Sequence, residues 1–227
     1  MKLFGSSGAR GVVGDGLTPE FVLRIAKGAG TVWEADRAVV ARDTRTTGEM
    51  LSNAAASGLA SVGVDVDDLG PTPTPSAVRY AGEHGRPAVV ITASHNPPEY
   101  NGVKLVGADG VELGVADLER VEERVLTEDF STAAWDEVGA VHEVESANRE
   151  YVADLLEAVD RESIAEADLT VALDPGHGAG ALTSPEFFRE LGCAVVTVNA
   201  NPDGHFPGRN SEPVERTLGD LRSLVTA

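Results

Sequence analysis

Along this chain, short apolar runs rich in β-branched residues alternate with longer stretches whose apolar residues recur every three to four positions. The first kind reads as strands buried on both faces, the second as amphipathic helices. A strand is expected at residues 2–4, followed by a Gly-rich turn and an extended segment at 11–13. Thr18-Pro19-Glu20 opens a helix, with Thr as N-cap and Pro in the first turn, that runs to about Trp33. Strands at 38–41 and 64–69 bracket a helix over 48–61. Pro71-Thr72-Pro73-Thr74-Pro75 interrupts the alternation before a helix near 76–82, and Ala88-Val89-Val90-Ile91 is the next strand. Residues 102–106 form a short strand and 115–126 an amphipathic helix. The period fades over 127–141, then resumes with a helix at 147–159, a strand at 169–173 and a helix at 184–191. A strand at 193–198 and a helix at 214–225 complete the pattern. Strand–helix alternation with short links predicts an α/β fold with a largely parallel sheet, and the fading period places a domain boundary near 130–146.

Composition narrows the class. A chain of 227 residues has room for one large or two ordinary domains, and 42% hydrophobic residues suit a soluble globular protein. Charge is the outlier: 37 acidic residues against 18 basic ones give a net −19. Such a surface repels nucleic acid and anionic membranes, so neither is expected as a partner. The acids are scattered rather than gathered in a tail, and lysine is confined to Lys2, Lys27 and Lys104. That balance suggests adaptation to high salt, where self-repulsion is screened. Cys193, the only cysteine, lies in an apolar run and is expected to be a buried small hydrophobe. With no 18-residue apolar run and no signal peptide, a cytoplasmic location is expected, and the oligomeric state stays open.

The chemistry concentrates in Thr92-Ala93-Ser94-His95-Asn96-Pro97-Pro98-Glu99-Tyr100-Asn101-Gly102-Val103-Lys104, which leaves the buried run 88–91. Ligands of open α/β sheets gather at such strand ends. A serine hydroxyl can hold a phosphoryl group, which needs donors and a cation nearby. His95, the loop N–H groups and Lys104 are placed to supply them if the turn folds back, which Asn101-Gly102 favours. Lys104 could exchange a proton with a sugar hydroxyl if neighbouring positive charge lowered its pKa. Taken alone, Ser94-His95 is more readily a plain turn, and a serine hydrolase is disfavoured because no G-x-S-x-G elbow is present. The Gly-rich turn Asp174-Pro175-Gly176-His177-Gly178-Ala179-Gly180 lacks both GxGxxG and a P-loop Lys-Ser/Thr, and its glycines are taken as structural. The five histidines show no metal spacing.

The thirteen-residue stretch as a whole resembles the phosphoserine loop of the α-D-phosphohexomutases, the phosphoglucomutase/phosphomannomutase family. Further segments are similar to that family: Phe4-Gly5-Ser6-Ser7-Gly8-Ala9-Arg10-Gly11, Ala41-Arg42-Asp43-Thr44-Arg45, the run 71–75, the turn 174–180 and residues 201–213. The resemblance implies a mixed, largely parallel sheet with helices on both faces over residues 1–138, carrying the phosphoserine loop. It implies all or part of a second, similar α/β domain over 139–227. The implied enzyme is an intramolecular phosphotransferase that moves phosphate between C6 and C1 of a hexose through a phosphoserine and a bisphosphorylated sugar. Ser94 would carry the phosphoryl group, Lys104 would be general acid/base, and Arg10 and His95 would stabilise phosphate. Asp43 is expected to pair with an arginine and hold the loops together. The form Tyr100-Asn101-Gly102 leans towards the phosphomannomutase/phosphoglucomutase branch. Mg²⁺ and a hexose 1,6-bisphosphate activator are implied, with one metal ligand here, the phosphoryl oxygen on Ser94. The family's metal loop, Asp-Gly-Asp-x-Asp-Arg, does not occur in these residues. The expectation is therefore a chain truncated before that loop and inactive alone, or a non-enzymatic remnant that serves binding or assembly.

Overall fold

The computed structural model describes residues 3–5 and 8–226. Its first unit contains β1 (Ala9–Val13), β2 (Gly16–Leu17), α1 (Pro19–Trp33), β3 (Arg37–Arg42), α2 (Gly48–Ala60) and β4 (Asp65–Pro71). α3 (Thr74–His84), β5 (Ala88–Ile91), β6 (Tyr100–Val106), α4 (Val115–Thr127) and β7 (Val141–Glu143) complete it. These strands form one seven-stranded sheet in the order β2-β1-β6-β5-β3-β4-β7. β5, β3, β4 and β7 run parallel to one another, whereas β6 is antiparallel to both β5 and β1. The second unit comprises α5 (Ala147–Glu157), α6 (Arg161–Glu166), β8 (Thr170–Leu173), α7 (Ser184–Glu190), β9 (Ala194–Thr197) and α8 (Gly219–Thr226). β8 and β9 pair in parallel.

Local chemistry explains the helices. The Thr18 side chain accepts a hydrogen bond from the Phe21 N–H at 3.3 Å, and Pro19 occupies the first turn, so α1 starts where the sequence says it should. Its buried residues Val22, Ile25, Ala26 and Ala29 form one stripe. That stripe packs with Leu51, Ala55 and Leu59 of α2 and Val121 and Val125 of α4 against Ala38, Val40, Val89 and Ile91 of the sheet. The alternate strand residues Val39, Ala41, Ala88 and Val90 face the other way, onto Ala77, Tyr80 and Ala81 of α3 and Ala147 of α5. Both faces of β3 and β5 are thus covered, the condition under which apolar residues can run without alternation. A smaller core in the second unit joins Val152, Leu156, Leu191 and the buried Cys193.

The fold is the mixed, largely parallel α/β sheet expected, and several elements differ in detail. Leu3 and Phe4 are not in a strand, and Lys2 lies outside the described residues. Phe4 is instead a core side chain, and pairing begins at Ala9, after a close approach at Gly8. There φ is +97° and a Cβ would lie 2.2 Å from the Val103 carbonyl oxygen. The edge strand β7 lies beyond residue 138 yet pairs with β4 of the first sheet. The helix expected over 214–225 is split at Leu218 into a 3₁₀ turn (Glu215–Thr217) and α8.

Two consequences can be measured. Gly58 of α2 meets α1 so closely that a Cβ would lie 2.5 Å from the Leu23 carbonyl oxygen and 2.8 Å from Ala26 Cβ. Gly58→Ala should therefore destabilise the protein by about 1–3 kcal/mol in urea unfolding, despite the better helix propensity of alanine. Asp65 anchors the approach to β7 by accepting the Ala140 N–H at 2.8 Å. That bond, with the Arg37 guanidinium second, holds its carboxyl below the usual 3.8. A depressed acid stabilises the fold above its unfolded value and stops doing so as pH falls through the folded one. The Ala140 amide resonance should thus titrate with a midpoint below 3.8, and the titration should vanish in Asp65→Ala.

Candidate active site

The chain leaves β3 to build α2 and β4 on one side, and later returns to place β5 on the other side of β3. The C-terminal ends of β3 and β5 therefore flank the point where the strand order reverses, the place where open α/β sheets bind ligands. Two loops emerge there side by side, residues 43–47 after β3 and 92–99 after β5, stapled by the Asp43 N–H to the Ile91 carbonyl at 3.0 Å.

Arg45 joins them. Its side chain is fully buried, and all five of its N–H groups have oxygen acceptors. Nε donates to Asp43 Oδ2 at 3.1 Å. Nη1 donates to the carbonyls of Pro97 (2.6 Å) and Tyr100 (2.9 Å), and Nη2 to those of Ser94 (3.0 Å) and Asn96 (2.7 Å). Burial pushes the guanidinium down from its usual value, and Asp43 pulls it back up. Asp43 also accepts the Arg45 N–H at 3.0 Å and the Thr92 hydroxyl at 2.7 Å. The same Thr92 hydroxyl accepts the Ser94 N–H at 3.0 Å. The arginine partner expected for Asp43 is therefore Arg45, two residues on. Its grip on the serine loop was not visible in sequence, because four of its five acceptors are backbone oxygens some fifty positions away.

This scaffold holds Ser94 in the left-handed region, at φ +55°, a conformation that is uncommon for serine. The side chain is exposed, with Oγ 3.3 Å from His95 Nδ1. Arg10, on β1, reaches the loop by donating from Nη1 to Asn96 Oδ1 at 3.3 Å. It sits opposite Gly102 in the β1–β6 ladder. A Cβ at 102 would lie 2.9 Å from Arg10 Cγ and 2.7 Å from the Ala9 carbonyl oxygen, so the glycine makes room for both. Ser94, His95 and Arg10 are thus brought together. Lys104 is placed differently: its ammonium is ion-paired with Glu112, on the turn after β6. The expected positive neighbour is therefore replaced by a carboxylate, with which an incoming phosphate would compete.

The second unit closes over these loops. Thr44 Oγ1 donates to the His177 carbonyl at 3.0 Å, and Ser211 Oγ lies 2.8 Å from the carbonyl oxygens of both His95 and Asn96. The Phe206 ring caps the Arg45 guanidinium at 5.2 Å. Gly204 lies against residues 44–46, where a Cβ would be 2.3 Å from the Thr46 nitrogen. Three N–H groups at the centre of the 174–180 turn are already bonded within the second unit. Gly176 donates to Asp174 Oδ1, His177 to the Asn199 carbonyl and Gly178 to the Pro175 carbonyl, so these amides do not cradle a phosphate. Arg209 covers Gly176 and pairs with buried Asp174 at 2.8 Å. Between the two units lies a cavity of about 400 Å³, lined by Ser94, Thr92 and Thr44 on one side and Tyr151, Phe187 and Phe206 on the other.

Magnesium requires several hard oxygen ligands in near-octahedral order. Among the described residues no group of three or more His, Cys, Asp or Glu could hold a metal ion, and both Asp43 oxygens are already engaged. The described side chains do not make such a site.

Comparison with known proteins identifies the family. Residues 1–132 match the family model "Phosphoglucomutase/phosphomannomutase, alpha/beta/alpha domain I", and residues 149–227 match domain II of the same family. A "Phosphoglucomutase/phosphomannomutase" of Thermococcus kodakarensis is 46% identical, over 100% of this chain and 51% of its own length. A "Probable phosphoglucosamine mutase" of Methanosarcina acetivorans is 41% identical, over 100% of this chain and 50% of its own. The crystal structure of a phosphoglucomutase/phosphomannomutase family protein from Burkholderia thailandensis superposes with a TM-score of 0.82 at 28% identity, covering 99% of this chain and 50% of that one. The chain belongs to the phosphoglucomutase/phosphomannomutase family. It spans about half the length of the curated relatives it matches.

Replacing Arg45 tests the scaffold. Arg45→Ala leaves a partly buried carboxylate and the loop carbonyls without their cation, and should cost about 3 kcal/mol in urea unfolding. Arg45→Lys has only three donors and should recover part of the stability but leave the 94–100 loop less protected in amide exchange.

Proposed function

We propose that this chain is the phosphoryl-carrying part of a phosphohexomutase of the phosphomannomutase/phosphoglucomutase type, located in the cytoplasm. The observation that carries this reading is the exposed Ser94 hydroxyl, on a loop whose backbone the Asp43–Arg45–Thr92 network holds at the strand-order switch and whose Asn96 side chain is bonded to Arg10. Ser94 Oγ carries the phosphoryl group. In transfer, the bond from phosphorus to Ser94 Oγ breaks as a bond to a sugar hydroxyl oxygen forms. Lys104, once freed from Glu112, takes the proton that hydroxyl loses. After the sugar turns over, the step runs in reverse with the other phosphate and Ser94 is rephosphorylated.

Arg10 and His95 supply charge and donors to the phosphoryl oxygens, because catalysis of phosphoryl transfer rests mainly on positioning and charge stabilisation. Mg²⁺ belongs to the family reading, with the Ser94 phosphoryl oxygen as its one ligand in this chain. A hexose phosphate is the substrate class and a hexose 1,6-bisphosphate the activator. The T. kodakarensis and M. acetivorans relatives carry names of different sugar specificity, and the branch chosen here rests on Tyr100-Asn101-Gly102 together with the higher identity to the first.

Intact-mass spectrometry tests the reading. Incubation with a hexose 1,6-bisphosphate and Mg²⁺ should add one phosphoryl mass to the chain and none to Ser94→Ala. No adduct on the unaltered chain would refute autonomous phosphoryl transfer. These residues would then be a folded part whose activity has to be sought in a longer chain carrying the aspartate loop, or a remnant with a binding or assembly role.

A further inference from the structure

Ser211 makes a contact that the mutase reading does not use. It lies in the second unit, more than a hundred positions from the serine loop, and its hydroxyl is 2.8 Å from the carbonyl oxygens of both His95 and Asn96. One hydroxyl proton is therefore shared between the two residues that follow Ser94. The Asn96 carbonyl has its second lone pair on Arg45 Nη2 at 2.7 Å, and the Ser94 carbonyl is held by the same nitrogen at 3.0 Å. The carbonyls of residues 94, 95 and 96 are thus all tied, the middle one by Ser211 and not by Arg45. A left-handed residue persists only where its surroundings over-determine it. Here the first unit supplies the arginine and the second unit supplies the hydroxyl.

We propose that Ser211 is a positioning residue: it couples the seating of the second unit to the left-handed conformation in which Ser94 presents its hydroxyl. The coupling is local in its chemistry. Gly204 and Phe206, on the same 203–211 segment, lie against residues 44–46 and over the Arg45 guanidinium, so this segment cannot move without disturbing the loop's own anchor. Ser211 also lines the cavity that Ser94 faces, so the link sits at the mouth of the site. The functional part of this inference rests on Ser94 being the phosphoryl carrier.

The test uses the whole 227-residue chain in four forms: unaltered, Ser211→Ala, Ser211→Thr and Asp154→Asn. The last removes the ion pair between Arg79 of α3 and Asp154 of α5, another contact between the units that does not touch the serine loop. NMR reads the Ser94 backbone through its amide–α-proton coupling and its α- and β-carbon shifts, alongside amide exchange at residues 95–97. Ser211→Ala should move the Ser94 signals towards conformational averaging and speed that exchange about tenfold. Ser211→Thr, which keeps the hydroxyl, should restore both, and Asp154→Asn should leave both unchanged. Phosphoryl transfer to Ser94 from a hexose 1,6-bisphosphate should slow by about tenfold in Ser211→Ala and recover in Ser211→Thr.

Unchanged Ser94 signals in Ser211→Ala would overturn the coupling. Altered signals with an unaltered transfer rate would overturn the positioning role and leave a structural contact. If the unaltered chain accepts no phosphoryl group, the mutase reading fails for this chain, and the NMR comparison by itself decides whether Ser211 sets the loop.

Discussion

A single buried guanidinium holds the site together. Burying a cation is costly unless its charge and all its donors are matched, and Arg45 meets both conditions at once. Asp43 matches the charge, and four loop carbonyls absorb the remaining N–H groups. A planar fork with five fixed donors can do this where a lysine cannot. The result is a loop whose shape is dictated from beneath, so the Ser94 hydroxyl can stay exposed while its backbone remains in an uncommon conformation. Asp43 follows β3 and Thr92 follows β5, so the loop inherits the rigidity of the sheet interior.

The second unit uses the same device. Asp174, at the end of β8, is buried against Arg209, which arches over Gly176 and lets the chain pass closely beneath it. In each unit a carboxylate at a strand end anchors an arginine, and the arginine organises Gly- or Pro-rich backbone that has few ways to stabilise itself. The two devices meet through Phe206, Gly204 and Thr44, which makes the interface between units continuous with the site. In a chain of net charge −19, Arg10 brings a positive charge to the serine loop, as an anionic ligand requires, whereas the charge of Arg45 is matched by Asp43.

Where the sequence and the structure part, the reasons are physical. The helix start at Thr18 and the strand at Ala88–Ile91 were legible because a cap and a fully buried apolar run are local signals. β7 was not, since Val141, His142 and Glu143 are all exposed and show no alternation; they are a strand only because the edge of β4 is free to pair. Phe4 looked like part of a strand because apolar residues suit both strands and core insertions. Lys104 was correctly seen as a strand residue near the loop, but its partner Glu112 lies across a turn whose geometry no spacing rule encodes.

Sequence alone determined the α/β class, the strand that feeds the serine loop, and the resemblance that singled out Ser94, Lys104, Arg10 and His95. These follow from periodicity, turn chemistry and motif, which are properties of neighbours along the chain. Tertiary structure decided which arginine Asp43 holds, that Lys104 is held by Glu112, and that Ser211 of the second unit reaches the carbonyls beside Ser94. Each of these is a contact between backbone or side-chain atoms brought together only when the strands take their order, and hydrogen bonds to backbone carbonyls leave no trace in the identity of the residues that accept them.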